Sequence, residues 1–256
     1  MEANSDEVMW LGELLAVLSG KGGTGKTSVC AGVAVALAAA GKKVLCVDCD
    51  VGLRNLDISL GMSECGALSF LDVMEGGYGI EKAAHHPSFP QLQFLTAPLN
   101  RGVEQIDPEA FRRMLIQARG QFDFIFLDAP AGVDAGFRLV SGVADRFLLV
   151  TGAGPAAMRD AARVGDLLEI EGKKNVRLIV NRISRSMLSA VRLTVDDVMD
   201  NTGLPLLGIV MEDPNVTLAA SFERPVELYA PRSDEDRAFS RIADRIQGYV
   251  RPIKLR

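Results

Sequence analysis

The sequence is poor in cysteine, in aromatic residues and in long apolar segments. It contains four cysteines and one tryptophan among 256 residues, and aromatic residues make up 6% of the chain. Four cysteines in a chain of this length do not indicate a disulfide framework. The longest apolar segment, residues 29–40, is too short to cross a bilayer. The first residues are acidic rather than basic, so no secretory signal is expected and the sequence predicts a soluble cytoplasmic protein.

Positive charge is also scarce. The chain has 28 lysine and arginine residues against 33 aspartate and glutamate residues, which gives a net charge of −5. This balance argues against broad binding to nucleic acid, and we expect no specific nucleic-acid partner. The hydrophobic share of 48% is too high for a disordered chain and is sufficient for a large core.

Cys46 and Cys49 have the spacing of a metal-binding or redox pair. They lie, however, in an apolar run that predicts a buried strand. Cys30 and Cys65 form no second pair at the spacing of a metal site. We therefore favour the interpretation that these cysteines are small buried residues.

Apolar runs of strand length alternate with segments of helical period along the chain. Near-continuous apolar strands separated by helices predict a doubly wound α/β fold, with a mainly parallel sheet and helices on both faces. No repeat or linker interrupts the pattern, so we expect a single domain over residues 1–256. Its ends would be a flexible lead (1–12) and a short tail of basic and aliphatic residues (251–256). The predicted strands are residues 14–19, 43–48, 92–96, 122–128, 147–151, 176–181 and 206–210. The predicted helices are residues 26–40, 108–119, 155–170, 194–201 and 234–250.

The first predicted strand runs into a glycine-rich segment, GKGGTGKTS, at residues 20–28. It satisfies the pattern GxxxxGK[ST] between a strand and a helix, which is the context a phosphate-binding P-loop requires. Glycines let backbone N–H groups surround phosphate oxygens, and the positive end of the next helix points at them. Lys26 is expected to reach the β- and γ-phosphates, and the Thr27 hydroxyl to ligate Mg²⁺. The predicted nucleotide-binding residues here are Gly22, Gly23, Thr24, Gly25, Lys26, Thr27 and Ser28.

Lys21 is a second lysine, at the start of this loop. From there it cannot easily fold back onto its own phosphates, but it could serve the nucleotide of another subunit. The run KGGTGKT at residues 21–27 resembles the deviant Walker A motif of the MinD/ParA family of P-loop ATPases. In that family the early lysine contacts the partner's phosphates in a nucleotide-sandwich dimer. The resemblance therefore implies ATP and Mg²⁺ as cofactors, a homodimer in the ATP state, and catalytic roles for Lys21 and Lys26.

The second predicted strand ends in Asp48-Cys49-Asp50, followed by VGLRNLD. Two carboxylates at a strand end can face the crevice near Mg²⁺ and the γ-phosphate, where phosphoryl transfer needs an oriented water and a supported metal. The segment resembles switch I of the family. On that resemblance Asp50 is a catalytic residue that orients the attacking water, and Asp48 contributes to the metal site or to the lysine network.

The strand at residues 122–128 ends in Asp128-Ala129-Pro130, followed by Ala131-Gly132. An acid at the tip of an apolar strand is the Walker B arrangement, which holds Mg²⁺ directly or through water. Thr27, Asp48 and Asp128 are thus the predicted metal-binding residues. The segment resembles the family's switch II, although Ala129 stands where serine is more common.

The resemblance extends over roughly residues 14–229. Asn181 and Arg182 match the family's adenine-binding position, where a side-chain amide can satisfy the N6 and N7 edge of the base. Residues 159–163 match a segment that faces the dimer interface and the nucleotide. The preceding GAGP turn, residues 152–155, departs from the family pattern.

Three further features are interpreted from their surroundings. Apolar residues recur at helical spacing in residues 234–250, and we favour a helix packed on the core over a membrane-binding helix. The tail that follows mixes three cations with aliphatic residues, which favours weak, ATP-dependent association with anionic membrane by paired tails. His85 and His86 adjoin Pro87 in a predicted loop and are expected to be solvated.

The resemblance implies a slow ATP hydrolase that is stimulated by a regulatory protein. Within the family, the run GLRNLD at residues 52–57 favours regulators of division-site placement. A regulator of flagellar number and a ParA-like partition ATPase that binds DNA are the alternatives, and the net charge opposes the second. An iron–sulfur carrier would need a cysteine pair that the sequence lacks, and a nucleotide-gated adaptor without turnover also stays open.

Overall fold

The computed structural model of the chain describes residues 11–184 and 194–253. Within these residues, strands and helices alternate along the chain as the apolar pattern predicts. The strands are β1 Glu13–Leu18, β2 Val44–Asp48, β3 Ala84–His85, β4 Leu92–Leu95, β5 Phe124–Asp128, β6 Arg146–Thr151, β7 Val176–Ile183 and β8 Leu206–Met211. The helices are α1 Lys26–Ala39, α2 Leu56–Leu60, α3 Phe70–Met74, α4 Pro108–Arg119, α5 Ala135–Ser141, α6 Pro155–Ile170, α7 Val195–Thr202, α8 Pro214–Ser221, α9 Val226–Tyr229 and α10 Asp234–Ile246.

The described strands form one sheet in the order β3-β4-β2-β5-β1-β6-β7-β8. Every neighbouring pair is parallel except β3 with β4 at one edge. The chain starts in the middle of the sheet at β1, builds one side first and then crosses to the other, so the order reverses at β1. Parallel α/β sheets bind ligands beyond the carboxyl end of the strands at such a reversal.

The two faces of the sheet carry separate apolar layers, because successive side chains of a strand point to opposite faces. From β1, Leu15 and Val17 pack in the layer that contains α1 and α10. Leu14, Ala16 and Leu18 pack in the other layer, which contains α4, α5 and α6. The doubly wound α/β fold with helices on both faces is therefore confirmed.

Helix α10 lies close to helix α1 and strand β8, with one glycine at each contact. A side chain at Gly32 of α1 would place its Cβ 2.1 Å from the ring of Phe239, and one at Gly208 of β8 would meet Ile242 at 2.4 Å. Such distances are far below van der Waals contact, so only glycine permits this close approach. Phe239 and Ile242 are buried as a result.

The seven predicted strands and five predicted helices are all present, with bounds that differ by up to four residues. The largest difference is α10, which ends at Ile246 instead of residue 250, because Gly248 turns the chain with a φ of 89°. The interpretation that this helix packs on the core is correct. The described residues contain no helix that is both long and apolar enough to cross a membrane. Of the predicted lead 1–12 the structure describes residues 11–12, and of the tail 251–256 it describes residues 251–253.

Candidate functional site

The glycine-rich loop follows β1 and lies where β1, β5 and β6 end side by side. β1 pairs with β5 on one side and β6 on the other, and β2 pairs with β5 with Asp48 opposite Asp128. The side chains at the ends of these strands therefore share one crevice with the loop.

The conformation of the loop requires its glycines. Gly23 and Gly25 have φ values of 80° and 81°, in the left-handed region that glycine adopts without strain. Gly20 lies against Asp160 of α6, and a Cβ there would be 2.7 Å from it. The segment at residues 159–163 is thus in contact with the loop, as the resemblance implies for the nucleotide side of that segment.

The loop also has the donors that a phosphate needs. Helix α1 begins at Lys26, directly after the loop, so its free N–H groups and positive dipole end face the crevice. Gly22 and Gly23 have open space at the Cβ position, and the Thr24 hydroxyl is buried with no hydrogen-bond partner in the described part of the chain. These observations fit a bound phosphate group. A Mg²⁺ ion bound with that phosphate would take the Thr27 hydroxyl as one of its ligands.

Lys26 forms a buried ion pair with Asp128. Its Nζ lies 2.5 Å from Asp128 Oδ1, donating a hydrogen bond, and 3.4 Å from Thr27 Oγ1. Burial lowers the pKa of Lys26, but the attraction and hydrogen bond of Asp128 outweigh burial and the pKa is raised. The lysine therefore stays charged inside the protein. The sequence predicted Lys26, Thr27 and Asp128 as one site, and the structure brings them together.

Asp48 anchors the segment that follows β2. Its carboxylate is fully buried and accepts hydrogen bonds from the backbone N–H groups of Asp50, Asn55 and Leu56. Burial, together with the charge of Asp128, raises the pKa of Asp48 to about 7. Both oxygens of Asp48 are thus occupied by the backbone in this state, and a metal-binding role stays a prediction.

Asp50 is half-buried beside this site. Burial raises its pKa, an effect that the charge of Lys26 partly offsets. Asp50 and Lys26 therefore interact electrostatically. Its role in orienting water stays a prediction.

Lys21 differs from Lys26 in being exposed. Its side chain has no ion-pair partner among the residues that the structure describes. The two lysines of the loop thus have opposite environments, as expected if only one of them serves the loop's own phosphates.

Asn181 and Arg182 hold the loop from the end of β7. Asn181 Nδ2 donates to Thr24 O at 2.8 Å, and Arg182 Nη1 donates to Gly23 O at 3.0 Å. Because Asn181 is buried and one of its amide hydrogens is already used, the predicted adenine contact would have to use the rest of the amide. That contact stays a prediction.

A cavity of about 360 Å³ adjoins the loop on the side of β7 and β8. Sequence reasoning missed the acidic residues that line it. Glu212 and Asp213 follow β8, and Glu235 comes from α10, far along the chain from the loop. No short motif signals these residues, because α10 reaches the cavity only through tertiary packing.

His86 corrects one expectation. It was predicted to be solvated, but its side chain is 3% exposed. Its Nε2 donates to Leu60 O at 2.8 Å, and its Nδ1 accepts from the N–H groups of Ser88 and Phe89. Both ring nitrogens thus form hydrogen bonds, and the ring connects α2 with the loop after β3. Burial lowers the pKa of His86, so the ring is neutral. His85 is exposed as expected.

The cysteines behave as expected from their apolar surroundings. Cys30, Cys46 and Cys49 are buried without disulfides, whereas Cys65 is exposed. Burial raises the pKa of the Cys30 and Cys49 thiols well above its usual value, so neither is a ready thiolate. Within the described residues, no cluster of three or more His, Cys, Asp or Glu could hold a metal ion.

A parallel sheet whose central strand ends in this loop, with a buried lysine paired to the acid of the neighbouring strand, defines a P-loop nucleotide-binding protein. Comparisons with known proteins agree. Residues 15–226 match the CobQ/CobB/MinD/ParA nucleotide-binding domain. The septum site-determining protein MinD of Synechocystis sp. is 36% identical over 240 residues, 93% of this chain and 90% of that protein.

Solved structures that are similar to this chain also include MinD proteins. A chain of the MinC:MinD cell division protein complex from Aquifex aeolicus has a TM-score of 0.87 and 35% identity, covering 95% of this chain and 98% of that one. The MinD protein of Pyrococcus horikoshii, solved with Mg-ADP, has a TM-score of 0.81 and 29% identity, covering 92% of this chain and 96% of that one.

The chain belongs to the MinD/ParA family of nucleotide-binding proteins. It is a MinD-like ATP hydrolase with ATP and Mg²⁺ as its cofactors. The partition ATPase alternative is not favoured, since the chain is 36% and 34% identical to the MinD proteins of Synechocystis sp. and Bacillus subtilis.

Proposed function

We propose that this MinD-like ATPase helps to place the division site, through a homodimer that forms with ATP and dissolves after hydrolysis. The observation that carries the proposal is the buried Lys26–Asp128 pair beneath the loop, with Asp48 and Asp50 at the end of the neighbouring strand. The names of the relatives, septum site-determining proteins, support the cellular role.

The chain's own residues supply positioning and charge. Lys26 exchanges Asp128 for the β- and γ-phosphates when ATP enters, which releases the Asp128 carboxylate toward the Thr27 hydroxyl. Thr27 and Asp128 would hold Mg²⁺, and the metal would neutralise charge on the phosphates. Asp50 orients a water toward the γ-phosphate, while Asp48 keeps the switch I backbone in place through its three hydrogen bonds. Because no strong base is involved, unaided turnover is slow.

The exposed Lys21 completes the site of the partner subunit. Its side chain is exposed, and its charge adds to the stabilisation of the phosphates across the dimer, as an arginine finger does. A regulatory protein then stimulates hydrolysis or is recruited. A relative from Aquifex aeolicus has been solved in complex with MinC, and a MinC-like protein is the partner we propose.

Two substitutions test the proposed chemistry. We expect Lys26→Ala to abolish ATP binding, because the charge that faces the phosphates is lost. Asp50→Ala should keep ATP but slow hydrolysis by about a hundredfold or more, because the water is no longer oriented. Phosphate release and equilibrium dialysis with MgATP measure the two effects.

Size-exclusion chromatography of Asp50→Ala extends the test to the dimer, with a dimer expected in MgATP and a monomer in MgADP. Glu64→Ala is the matched control, since it removes an exposed acid just after the same segment. Hydrolysis by Asp50→Ala at the parental rate would contradict the assignment of switch I.

We further propose a cytoplasmic protein that touches anionic membrane weakly through its C-terminal tail. Val250 and Ile253 are 97% and 48% exposed, and Arg251 lies beside them with its Nε 2.5 Å from Asp244. Each cation contributes about 1 kcal/mol near an anionic surface, so one tail binds marginally and two tails of a dimer bind usefully.

Sedimentation with phosphatidylserine vesicles tests this contact. We expect the protein to pellet with MgATP and to stay in solution with MgADP, and Arg251→Glu to reduce pelleting. Arg232→Glu serves as the control, because it reverses an exposed charge elsewhere on the chain. Failure to pellet in both nucleotides would rule the contact out.

A further inference from the structure

The cavity beside the nucleotide loop contains a buried acid that no residue of the site uses. Glu235 lines the cavity with Gly25 and Ser28 of the loop region and with Asn181 and Arg182 of β7. Its side chain is 4% exposed, and its Oε2 atom is buried without a hydrogen-bond partner among the described residues. Burying a carboxyl oxygen without a partner costs free energy, so the position calls for a ligand that supplies the missing donor.

The other two acids that line the cavity either accept a hydrogen bond or are exposed to solvent. Asp213 caps α8 by accepting a hydrogen bond from the N–H of Asn215, and Glu212 is exposed. Arg182 is turned toward the loop, where it donates to Gly23 O. Among the described titratable residues that line this cavity, Glu235 alone is buried with a carboxyl oxygen that lacks a hydrogen-bond donor.

A role in starting α10 does not explain this burial. Acidic residues in the first turn stabilise a helix while exposed to water, and Asp234 and Asp236 already flank Glu235 there. Asp234 is exposed, and Asp236 accepts a hydrogen bond from the N–H of Arg232. Glu235 instead points inward between them, toward the cavity.

The charges of the region orient a nucleotide. The loop carries Lys21 and Lys26, whereas the cavity carries Glu212, Asp213 and Glu235 against one arginine. Phosphates are therefore attracted to the loop and repelled from the cavity, and the uncharged nucleoside with its N–H and O–H donors is the part that fits the acidic end. A volume of about 360 Å³ is large enough for a nucleoside.

We propose that Glu235 is a specificity-determining residue that accepts a hydrogen bond from an N–H or O–H donor of the bound nucleoside. The assignment rests on the proposed function, since it requires the phosphates in the loop. Burial, reinforced by Asp213, raises the pKa of Glu235 to about 8, which agrees with a carboxyl that lacks a donor until the ligand arrives. The donor is either the 6-amino group of the base or a ribose hydroxyl.

Calorimetric titration with MgADP and three analogues tests the assignment and identifies the donor. The analogues are purine riboside diphosphate, which lacks the 6-amino group, 2′-deoxy-ADP and 3′-deoxy-ADP. We expect Glu235→Met, which keeps the volume but has no acceptor, to bind MgADP about 10- to 100-fold more weakly than the parent. One analogue should weaken binding to the parent but suffer no further loss with Glu235→Met, and that analogue reveals the group that Glu235 reads.

Two controls keep the result specific. Glu212→Gln removes an exposed charge from the same cavity and should change MgADP affinity less than threefold. Glu235→Gln keeps an acceptor oxygen and should retain most of the affinity, which also covers the case in which Glu235→Met does not fold. Circular dichroism and urea unfolding confirm that each variant is native.

The possible outcomes separate this assignment from the proposed function. MgADP binding by Glu235→Met within threefold of the parent, the same loss with all three analogues, or a tenfold loss in Glu235→Gln overturns the role of Glu235 alone. Absence of MgADP binding by the parent protein overturns the proposed function and this assignment together.

Discussion

Lys26 and Asp128 neutralise each other in the apolar interior. Neither charge could be buried alone at this depth without a large cost, so the pair keeps both ionised and in place. In the proposed mechanism the phosphates of ATP would take the place of Asp128 beside Lys26, and the carboxylate would become available to Mg²⁺. The two residues are 102 positions apart in the chain, so only the fold brings the pair together.

Glu227 is a partly exposed residue with a buried carboxyl group, and the cost of this burial should be visible in the pH dependence of stability. Both carboxyl oxygens lie near α1 and α8, without a hydrogen-bond partner on another of the described residues. Burial raises its pKa from 4.5 to about 8, an effect that Asp236 and Glu235 add to and its own backbone N–H reduces. The folded state therefore prefers the protonated acid, and this residue lowers stability as the pH rises from about 4.5 through 8.

We expect Glu227→Gln to stabilise the protein at pH 8.5 by on the order of 1–3 kcal/mol and to have little effect at pH 4.5. Urea unfolding across this pH range measures the difference. Glu223→Gln is the matched control, because it removes an exposed charge four positions earlier and should give no pH-dependent gain. An equal effect of Glu227→Gln at both pH values would show that the acid is not the cause.

The sequence could predict single residues only where a local pattern reports them. The phosphate-binding loop at residues 20–28 was predictable because its glycines, lysines and hydroxyl groups are contiguous in the sequence. Each of these residue types has a known role in binding phosphate or Mg²⁺. His86 was predicted wrongly because its acceptor, Leu60 O, is 26 residues away and only the fold brings it near. Glu235 was missed for the same reason, since its burial depends on how α10 packs.

Among the elements, the contact between α1 and α10 should be the most sensitive to added volume. Alanine normally stabilises a helix interior relative to glycine by up to about 1 kcal/mol. At Gly32, however, the new Cβ would lie 2.1 Å from the Phe239 ring, which is itself buried. Overpacking of this kind costs about 1–3 kcal/mol, so we expect Gly32→Ala to destabilise the protein in urea or thermal unfolding.

Gly165→Ala provides the comparison for this contact. Gly165 is also buried in a helix, α6, but the nearest atom to its Cβ would be the flexible end of Leu204 at 3.3 Å. We expect that substitution to be neutral within about 0.5 kcal/mol or slightly stabilising. Equal stabilities of the two variants would contradict the close packing of α10 against Gly32.

At the level of elements, long periodic segments were predictable and short ones were not. No sequence pattern predicted α2, α3, α5, α8 or α9, which have four to eight residues, because periodicity needs several turns to be recognised. The end of α10 was placed four residues too late, since Tyr249 continues the apolar spacing after Gly248 has turned the chain. Apolar strands of the central sheet were the most reliable feature.

For the whole molecule, the central expectation is that two copies share two nucleotides. We expect Lys21→Ala to bind MgATP with unchanged affinity within about threefold, because Lys21 lies outside its own phosphate site, but to remain monomeric and to hydrolyse ATP slowly. Light scattering in the Asp50→Ala background and phosphate release in the parent background measure the two effects. Lys82→Ala removes another exposed lysine and should leave both unchanged. A normal ATP-dependent dimer of Lys21→Ala would refute the exchange of lysines between subunits.

The position of α10 in the chain has a consequence for synthesis. Residues 20–28 emerge from the ribosome early, but Glu235, which lines the cavity beside the loop, and Phe239, which packs against α1, emerge more than two hundred residues later. The part of the cavity wall that α10 provides is therefore made long after the phosphate loop. Under the proposal that this cavity holds the nucleoside, we expect full nucleotide binding only after residues 234–246 have been translated.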